Sequence, residues 1–409
     1  MLEVRINQSV NNKHKIVHIS DSYIDNFSYQ NQLLPKVQAR MGDDVTVIAP
    51  IKVWLEHYTM TEADYNKNQP YYYDGVKIVR LNQNLKFLGC RFTTLKNLYA
   101  LIEQEQPDIL FCHGIQRLDV LTACEYKKNH PDCCVVVDVH SDEFNSATNF
   151  LSKFILHKIL WRLVARRAEK ILDRIYYITP SIKDFIIEMY GLSSGKLAPT
   201  YLGADMALIN NSENSAIRSS VRKSLGIGND DFVIVTAGKI DKNKMTHILL
   251  EALNLLEFSS VHVVIVGSVD KDYKSTLLDL VDKGSVVHFT GWVESDKINE
   301  YFLSSDLGVF PKSQSVLWQT AICCGLPCIF GYYPGGEYLN PAGNAMFLYS
   351  SNPRELAQLI DLLISNPRRL EQMKKTAQTE GVMRFNYESI AKEIKAFAND
   401  VLSLNKNTL

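Results

Sequence analysis

Two lysines follow a glycine at the end of a predicted strand in the second half of the chain. The apolar run Phe232 to Thr236 leads into Gly238, Lys239 and Lys244, and a helical pattern begins at Ile248. Ligands in open α/β sheets lie beyond the carboxyl ends of strands, near helix amino termini, so these two ammonium groups can meet at a diphosphate. A lysine cluster on a hydrated loop is the competing interpretation. No G-x-G-x-x-G fingerprint follows this strand or the first one, which argues against a nicotinamide enzyme.

A histidine follows a predicted strand in the first half of the chain. His140 comes directly after the run Cys134 to Val139, and Asp142 comes two residues later. An imidazole in this place can contact a ligand or exchange a proton with it, although a structural hydrogen-bonding histidine would have the same sequence context. Asp142 binds a hydroxyl group of a ligand or caps the next helix. His113, which ends the pattern Phe-Cys-His, is a second candidate of the same kind.

A cationic stripe marks the segment between residues 153 and 174, which predicts an amphipathic helix. Its basic residues recur at every fourth position, at Lys158, Arg162, Arg166, Lys170 and Arg174, among apolar residues. Like charges at this spacing oppose one another, and an anionic lipid surface would relieve that repulsion. Each basic residue near such a surface contributes about 1 kcal/mol to binding. A helix packed on the core with a hydrated basic face is the alternative. The stripe therefore predicts peripheral association with an anionic membrane.

Short β-branched runs alternate with helical patterns along the chain, which predicts βαβ units and mostly parallel sheets. Two series of such runs can be separated. The first comprises residues 15–20, 44–49, 108–112, 134–139 and 174–178, and the second comprises 232–236, 261–266, 286–289, 307–310 and 327–330. We therefore predict one α/β domain over residues 1–205 and another over 206–384.

Length and composition agree with a two-domain globular enzyme. At 409 residues the chain is longer than one hydrophobic core usually organises. A net charge of -1 excludes the global basic excess of a nucleic-acid binder. None of the eight cysteines forms a C-x-x-C pair, so free thiols in a reducing cytosol are expected. The polar first 15 residues and the lack of a run of about 18 apolar residues predict a cytoplasmic protein.

The order and spacing of several short motifs resemble retaining GT-B glycosyltransferases of family 4. In the donor half these motifs are Gly238-Lys239 with Lys244, Val266-Gly267, His288-Phe-Thr-Gly-Trp-Val293, Ser305-Asp-Leu-Gly-Val-Phe-Pro311 and Ala321-Ile-Cys-Cys-Gly-Leu-Pro327. In the acceptor half they are Asp21 to Leu34, Val137-Asp-Val-His-Ser-Asp-Glu143 and Tyr177-Ile-Thr-Pro-Ser181. The resemblance covers nearly the whole chain. It implies the GT-B fold, an α/β architecture of two Rossmann-like domains with parallel sheets facing across a cleft, and a C-terminal helix at about 385–409 that packs back on the first domain.

The resemblance also implies roles for individual residues. Lys239 and Lys244 contact the diphosphate of a nucleotide-sugar donor, beside Gly238 and Gly267. Lys239 occupies a place usually held by arginine, so it keeps the charge and loses the bidentate fork. His140 is the catalytic candidate near the transferred sugar, with Asp142 as the second. The acceptor-binding candidates are Asp21, Asn26, Tyr29, Gln30 and His113.

The chain departs from the family at its paired glutamates. Thr320 takes the position of the second glutamate and Gln319 precedes it, and no glutamate occurs between Glu300 and Glu337. We predict that Ser315, Gln319 and Thr320 form a neutral polar rim that contacts the donor. Asp270-Lys-Asp272 matches the metal-binding D-x-D pattern of a different glycosyltransferase architecture, so neither a metal nor another cofactor is expected.

These observations predict a retaining glycosyltransferase that moves a sugar from a nucleotide donor, with UDP favoured over GDP. The resemblance implies a lipid-linked glycan acceptor and a role in assembling a bacterial surface polysaccharide such as O-antigen or capsule. The missing glutamates motivate an alternative, a catalytically silent GT-B protein that binds a glycan or a partner enzyme. A sugar-nucleotide epimerase of the same shape would need an acid/base set that the sequence does not display.

Overall fold

The computed structural model describes thirteen stretches of the chain. They are residues 13–25, 27–52, 54–55, 58–59, 69–84, 93–141, 146, 151–209, 214–256, 261–281, 286–295, 297–312 and 314–406. The chain forms two compact units. Unit 1 comprises Met1–Tyr201 and Glu388–Leu409, and unit 2 comprises Leu202–Tyr387.

The main sheet of unit 1 has eight strands and is parallel except at one edge. The ten described strands of unit 1 are β1 (Lys15–Ile19), β2 (Asp44–Pro50), β3 (Trp54–Leu55), β4 (Tyr58–Thr59), β5 (Tyr71–Tyr73), β6 (Val76–Leu81), β7 (Ile109–His113), β8 (Cys134–Val139), β9 (Arg174–Tyr177) and β10 (Leu197–Pro199). The order in the sheet is β10-β9-β8-β7-β1-β2-β6-β5, and β3 pairs with β4 separately. Only β5 runs antiparallel to its neighbour in the large sheet. Strands β7 and β8 are buried at every residue, as expected where helices cover both faces.

Helices connect the parallel strands of unit 1. The α-helices are Gln30–Arg40, Leu98–Glu105, Asp119–Asn129, Arg162–Glu169, Pro180–Phe185 and Tyr387–Lys406, with π-helices at Leu151–Trp161 and Ile186–Tyr190 and a 3-10 turn at Ser194–Lys196. The last helix packs on the rest of unit 1 through a buried ion pair, in which the Lys395 ammonium lies 2.7 Å from Asp43 Oδ1. His14 Nε2 lies 2.9 Å from Asn399 Oδ1 in the same interface.

Unit 2 contains a six-stranded sheet that is parallel throughout. Its strands are β11 (Phe232–Ala237), β12 (Val261–Val266), β13 (Val286–Gly291), β14 (Leu307–Phe310), β15 (Cys328–Gly331) and β16 (Ala345–Leu348). They are arranged in the order β13-β12-β11-β14-β15-β16. The α-helices are Asn214–Ser224, Thr246–Leu253, Lys271–Asp279, Ile298–Ser304, Leu317–Cys323, Pro353–Ile364, Pro367–Thr376 and Val382–Phe385, with 3-10 turns at Met206–Leu208, Lys242–Lys244 and Gly336–Leu339 and a π-helix at Ala377–Gly381. Every strand segment predicted from the sequence contains a strand, and both units are parallel α/β structures.

The segment predicted as one helix between residues 153 and 174 differs from that prediction. It consists of the π-helix Leu151–Trp161 followed by the α-helix Arg162–Glu169, and Arg174 is the first residue of β9. The Arg174 guanidinium lies 3.6 Å from the centre of the Phe397 ring, so it packs against the last helix instead of extending the stripe. Among the described residues, no helix combines the length and apolarity needed to cross a membrane.

Candidate functional site

The loops after β11 and β12 approach each other closely at two glycines. Gly238 and Gly267 have φ angles of 128° and 122°, which disfavour residues with a Cβ atom. A Cβ atom on Gly267 would lie 2.1 Å from the Gly238 carbonyl oxygen. The Gly238 amide also donates to the Val266 carbonyl, at 2.9 Å. These two loops therefore present backbone, without side-chain bulk, at the carboxyl end of the central strands.

Lys244 lies beside this pair of glycines. The 3-10 turn Lys242–Lys244 is capped by Asp241, whose carboxylate accepts from the backbone amides of Asn243 and Lys244. The Lys244 side chain runs past Gly238, where an added Cβ would lie 3.9 Å from its Cε atom. Burial lowers the pKa of Lys244, and the charge of Asp241 only partly offsets that effect. A partly desolvated ammonium interacts more strongly with a phosphate than a hydrated one does.

Lys239 and the following helix complete this loop. Lys239 is exposed, whereas Thr246, the first residue of the helix Thr246–Leu253, is fully buried. The Thr246 hydroxyl has no hydrogen-bond partner among the residues that the structure describes. Sequence reasoning did not identify Thr246, although its place at the amino terminus of the helix after β11 was a usable signal. Two glycines, two lysines and the amino terminus of a helix thus follow the neighbouring strands β11 and β12 at this end of the sheet.

Of the three residues of the predicted neutral rim, Ser315 and Thr320 are half-buried and Gln319 is buried. Gln319 is 3% exposed, and its side-chain amide lies 2.9 Å from the Tyr338 hydroxyl. With the amide oxygen facing Tyr338, its nitrogen donates to the Ser315 and Val316 carbonyls at 3.2 Å each. Gln319 is therefore an interior residue whose side-chain amide bonds within unit 2, and its contact with a donor stays a prediction. The Thr320 hydroxyl donates to the Val316 carbonyl, and the Ser315 hydroxyl accepts from the Leu317 amide, so both bond within their own segment.

The Asp270-Lys-Asp272 segment has a structural explanation. Asp270 caps the helix Lys271–Asp279, and its carboxylate accepts from the backbone amides of Asp272 and Tyr273. A carboxylate at this position satisfies helix amide groups that have no partner within the helix. The pattern is thus explained by helix capping.

In unit 1, His140 belongs to a cluster of histidines around one buried carboxylate. Asp138 Oδ2, at the end of β8, lies 2.7 Å from His113 Nδ1 and 3.1 Å from His140 Nε2. Asp138 Oδ1 accepts from the Gly114 amide at 2.9 Å. The side chain of His140 is 38% exposed, whereas His113 and Asp138 are buried. The cluster thus connects the interior of the sheet to its surface at one imidazole.

The pKa values of Asp138 and His140 are shifted in opposite directions. Burial opposes the charge of Asp138, but His140 and His113 outweigh it and hold the pKa of the carboxyl well below its usual range. Burial alone would lower the pKa of His140, yet the charge of Asp138 and their hydrogen bond raise it above its usual value. His140 is therefore stabilised as an imidazolium. Sequence reasoning identified both histidines but missed Asp138, which was visible in the pattern Asp-Val-His.

The predicted acceptor residues of the first loop have different environments. Asp21 forms an ion pair with Arg117 at 2.9 Å, and Arg117 also contacts the buried Asp119. Tyr29 is 50% exposed. Gln30 is 2% exposed, and neither polar atom of its side chain has a hydrogen-bond partner. Asn26 and Asp142 lie outside the described residues.

The predicted membrane segment exposes apolar side chains next to basic ones. The exposed apolar residues are Phe154 (40%), Ile155 (55%), Ile159 (58%) and Leu163 (61%), and the exposed basic residues are Lys158, Arg166, Arg167 and Lys170. Arg162 differs from the other members of the stripe because its guanidinium donates to the Met189 carbonyl at 3.3 Å and lies against Gly191. Arg162 is thus partly engaged in packing, and its place on the membrane face stays a prediction.

Comparisons with known proteins agree with both halves of the structure. The family model of glycosyl transferases group 1 matches residues 217–380, and the model of Glycosyltransferase Family 4 matches residues 34–208. An uncharacterized glycosyltransferase of Methanocaldococcus jannaschii is 23% identical over 222 residues, which cover 53% of this chain and 57% of that protein. Spore coat protein SA of Bacillus subtilis is 24% identical over 311 residues, which cover 68% and 77% of the two chains.

A solved structure of similar fold covers almost the whole chain. HepE of Anabaena, in complex with UDP, superposes with a TM-score of 0.68 at 18% identity, over 94% of this chain and 99% of that one. At this identity the likeness shows the fold, which is GT-B. The Glycosyltransferase Family 4 model lies mostly on unit 1, which contains the histidine cluster. The group 1 model lies on unit 2, which contains the loop with Lys239 and Lys244, the lysine loop. The chain therefore belongs to the GT-B glycosyltransferases that resemble glycosyltransferase family 4.

Proposed function

We propose that the protein transfers a sugar, with retention of configuration, from a UDP-sugar to a lipid-linked glycan during assembly of a surface polysaccharide. The observation that carries the donor half of this proposal is the position of the Lys244 ammonium beside Gly238 and Gly267. The HepE structure contains UDP, which favours a UDP-sugar. No metal is part of the proposal, because the lysines and the amino terminus of the helix Thr246–Leu253 can together offset charge on the leaving diphosphate.

In this proposal His140 contacts the transferred sugar. As an imidazolium it is a charged hydrogen-bond donor for a sugar hydroxyl, and such bonds are stronger than neutral ones. The retaining chemistry is proposed from the family resemblance alone.

The membrane part of the proposal rests on the exposed face formed by Phe154, Ile155, Ile159 and Leu163, with its adjacent basic residues. Apolar side chains that insert shallowly and cations that meet anionic headgroups are the two components of interfacial helix binding. A lipid-linked acceptor would then lie at the same surface as the enzyme.

The experiment that tests the donor assignment measures nucleotide release from a panel of UDP-, GDP- and ADP-sugars. We expect slow hydrolysis of one UDP-sugar in the absence of acceptor. A catalytically silent glycan-binding protein is the second candidate, favoured by the interior position of Gln319 and the missing glutamates. It would bind glycan or nucleotide without releasing product from any donor in the panel.

A further inference from the structure

A line of hydrogen-bonded side chains crosses the sheet of unit 1 from its interior to His140. Gln38 Oε1 lies 2.7 Å from His18 Nε2, and His18 Nδ1 lies 3.0 Å from His113 Nε2. The line continues through the contacts of His113 and His140 with Asp138. His18 is fully buried, and its ring stacks on that of His113 with centroids 5.2 Å apart. The adjacent strands β1, β7 and β8 supply His18, His113 and Asp138, and His140 directly follows β8.

The hydrogen-bond direction along this line can be assigned from its buried end. An amide oxygen only accepts, so His18 Nε2 carries the proton that faces Gln38. Burial and the neighbouring His113 lower the pKa of His18 to about 3, so His18 is neutral and its Nδ1 accepts from His113 Nε2. His113 Nδ1 faces a carboxylate and must donate as well. In this assignment both ring nitrogens of His113 act as hydrogen-bond donors, and Asp138 receives hydrogen bonds from two imidazole rings.

The same three residues, His113, Asp138 and His140, offer ligand atoms within 4.8 Å of one another and resemble a metal site. Tetrahedral zinc, with bonds of about 2.0–2.1 Å, separates its ligand atoms by about 3.3 Å. The 2.7 Å contact between Asp138 Oδ2 and His113 Nδ1 is shorter than that and fits a charge-assisted hydrogen bond. The geometry in this structure thus favours protons at the positions where a metal would lie.

We propose that Asp138 and His113 are positioning residues that act through His140. Asp138 holds His140 by Nε2, so that Nδ1 is the nitrogen that meets the substrate, and His113 limits how much of the Asp138 charge His140 receives. The inference rests on the proposed function in that His140 contacts the sugar. Among the residues that the structure describes, Asp138 acts on His140, His140 and His113 act on Asp138, and His113 and Asp138 act on His18.

Two substitutions should change the protonation of His140 in opposite directions. Asp138→Asn removes the anion, so the midpoint for His140 should fall by at least one pH unit, a tenfold loss of proton affinity. His113→Gln removes the second imidazole that shares the Asp138 carboxylate with His140, so the midpoint should rise. Long-range 1H–15N NMR of the histidine side chains in the full chain measures both, with His140 assigned by its loss in His140→Asn. Glu103→Gln is a matched control, because Glu103 pairs with His130 at 3.2 Å and should leave His140 unchanged.

The outcomes separate the inference from the proposed function. An unchanged His140 midpoint in both variants overturns the inference, as does movement of both midpoints in the same direction. If Asp138→Asn does not fold, the rise in His113→Gln remains a sufficient test. Tetrahedral Co²⁺ absorbance that is present in the parent protein and lost in His113→Gln would also overturn it. If the midpoints move as expected but His140→Asn transfers sugar at the parent rate, the network stands and the assigned role of His140 fails.

Activity supplies a second readout once a donor is known. Asp138→Asn should lower kcat at least tenfold while the KM for the donor changes little, because the donor diphosphate site lies in unit 2. The limb of the pH profile that reports His140 should move to lower pH. A variant that is merely destabilised would lose active enzyme without moving that limb, and an unmoved limb in an active Asp138→Asn enzyme contradicts the inference.

Discussion

The side-chain amide of Gln319 lies 2.9 Å from the hydroxyl of Tyr338, in the interior of unit 2. This pair joins the helix Leu317–Cys323 to the 3-10 turn Gly336–Leu339. Removing one partner leaves a buried polar group unsatisfied, which costs about 1–3 kcal/mol. The pair thus connects a helix and a 3-10 turn that follow the neighbouring strands β14 and β15.

We expect Gln319→Ala to lower the stability of the protein by about 1–3 kcal/mol and to leave the affinity for UDP unchanged. Urea unfolding measures the first effect and UDP titration of the folded variant measures the second. Tyr338→Phe, which removes only the hydroxyl group, should reproduce most of the loss. Weaker UDP binding in a stably folded Gln319→Ala protein would identify Gln319 as a donor contact.

Lys244→Ala should weaken the affinity for UDP by about 10- to 100-fold, because a hydrogen bond to a charged group contributes about 1.5–3 kcal/mol. Isothermal titration with UDP measures the change. Lys242→Ala is the matched control, since Lys242 is an exposed lysine of the same 3-10 turn. Equal affinities of the parent and both variants would rule out the lysine loop as the diphosphate site.

Gly267→Ala should both destabilise unit 2 and weaken UDP binding, because its Cβ would lie 2.1 Å from the Gly238 carbonyl oxygen. Gly226→Ala is the control for backbone strain alone, since Gly226 has a φ angle of 70° and no atom near its added Cβ. Thermal unfolding with and without UDP compares the two. Similar behaviour of both variants would show that the close approach of the two loops has no functional consequence.

The stability of the protein should fall as the pH is lowered from about 6.5 to 5, owing to His18. The pKa of this residue is lowered to about 3, whereas an unfolded histidine titrates near 6.5. In this window the unfolded chain binds a proton that folded His18 does not, so about 2 kcal/mol of stability is lost over 1.5 pH units. His140 has a raised pKa, so its contribution has the opposite sign: folded His140 keeps its proton to a higher pH than the unfolded chain does, and the stability it contributes is lost as the pH rises.

His18→Gln should flatten this dependence, and urea unfolding at pH 7, 6 and 5 measures it. Parallel curves for the parent and His18→Gln would mean that His18 is protonated when folded.

The protein should co-sediment with vesicles containing phosphatidylglycerol, and not with pure phosphatidylcholine vesicles. Binding should weaken with salt, because the Debye length falls from about 10 Å at 0.1 M to about 3 Å at 1 M. Lys158→Glu with Arg166→Glu should release the protein, and so should Ile159→Gln with Leu163→Gln. Reversal of Lys374 and Lys375, exposed cations of unit 2, is the charge-matched control. Equal sedimentation of all these variants would argue against the proposed face.

Ten parallel strands were predictable because most of them are buried on both faces and appear as continuous apolar runs, as in Val261–Val266. The parallel strands β6 and β10 were not predicted. Strand β5 was missed because its three tyrosines alternate between half-buried and exposed at the sheet edge. Strand β16 has only four residues. Such short edge strands are defined by their pairing partners more than by their own composition.

The positions of candidate residues were predictable where they follow directly from the order of strands and loops. They were less predictable where hydrogen-bond partners elsewhere in the chain determine the environment of a side chain. Gly238, Lys244 and His140 follow strands, and their positions follow from topology. Gln319 and Arg162 had the expected residue types, but the contacts that position their side chains are made with residues distant in the sequence. Tyr338 and the Met189 carbonyl, which bond them, are 19 and 27 residues away in the chain.

The return of the last helix to unit 1 has a consequence for biosynthesis. Unit 2 is one uninterrupted stretch, so it can complete its sheet as soon as residue 387 has left the ribosome. Unit 1 is synthesised first but completed last, because Lys395 must arrive to neutralise the buried Asp43. A nascent chain that stops before this helix would carry a finished second unit and a first unit with an exposed apolar face where Ile390 and Ile394 belong. Such a product would be recognised by chaperones and proteases through its amino-terminal half.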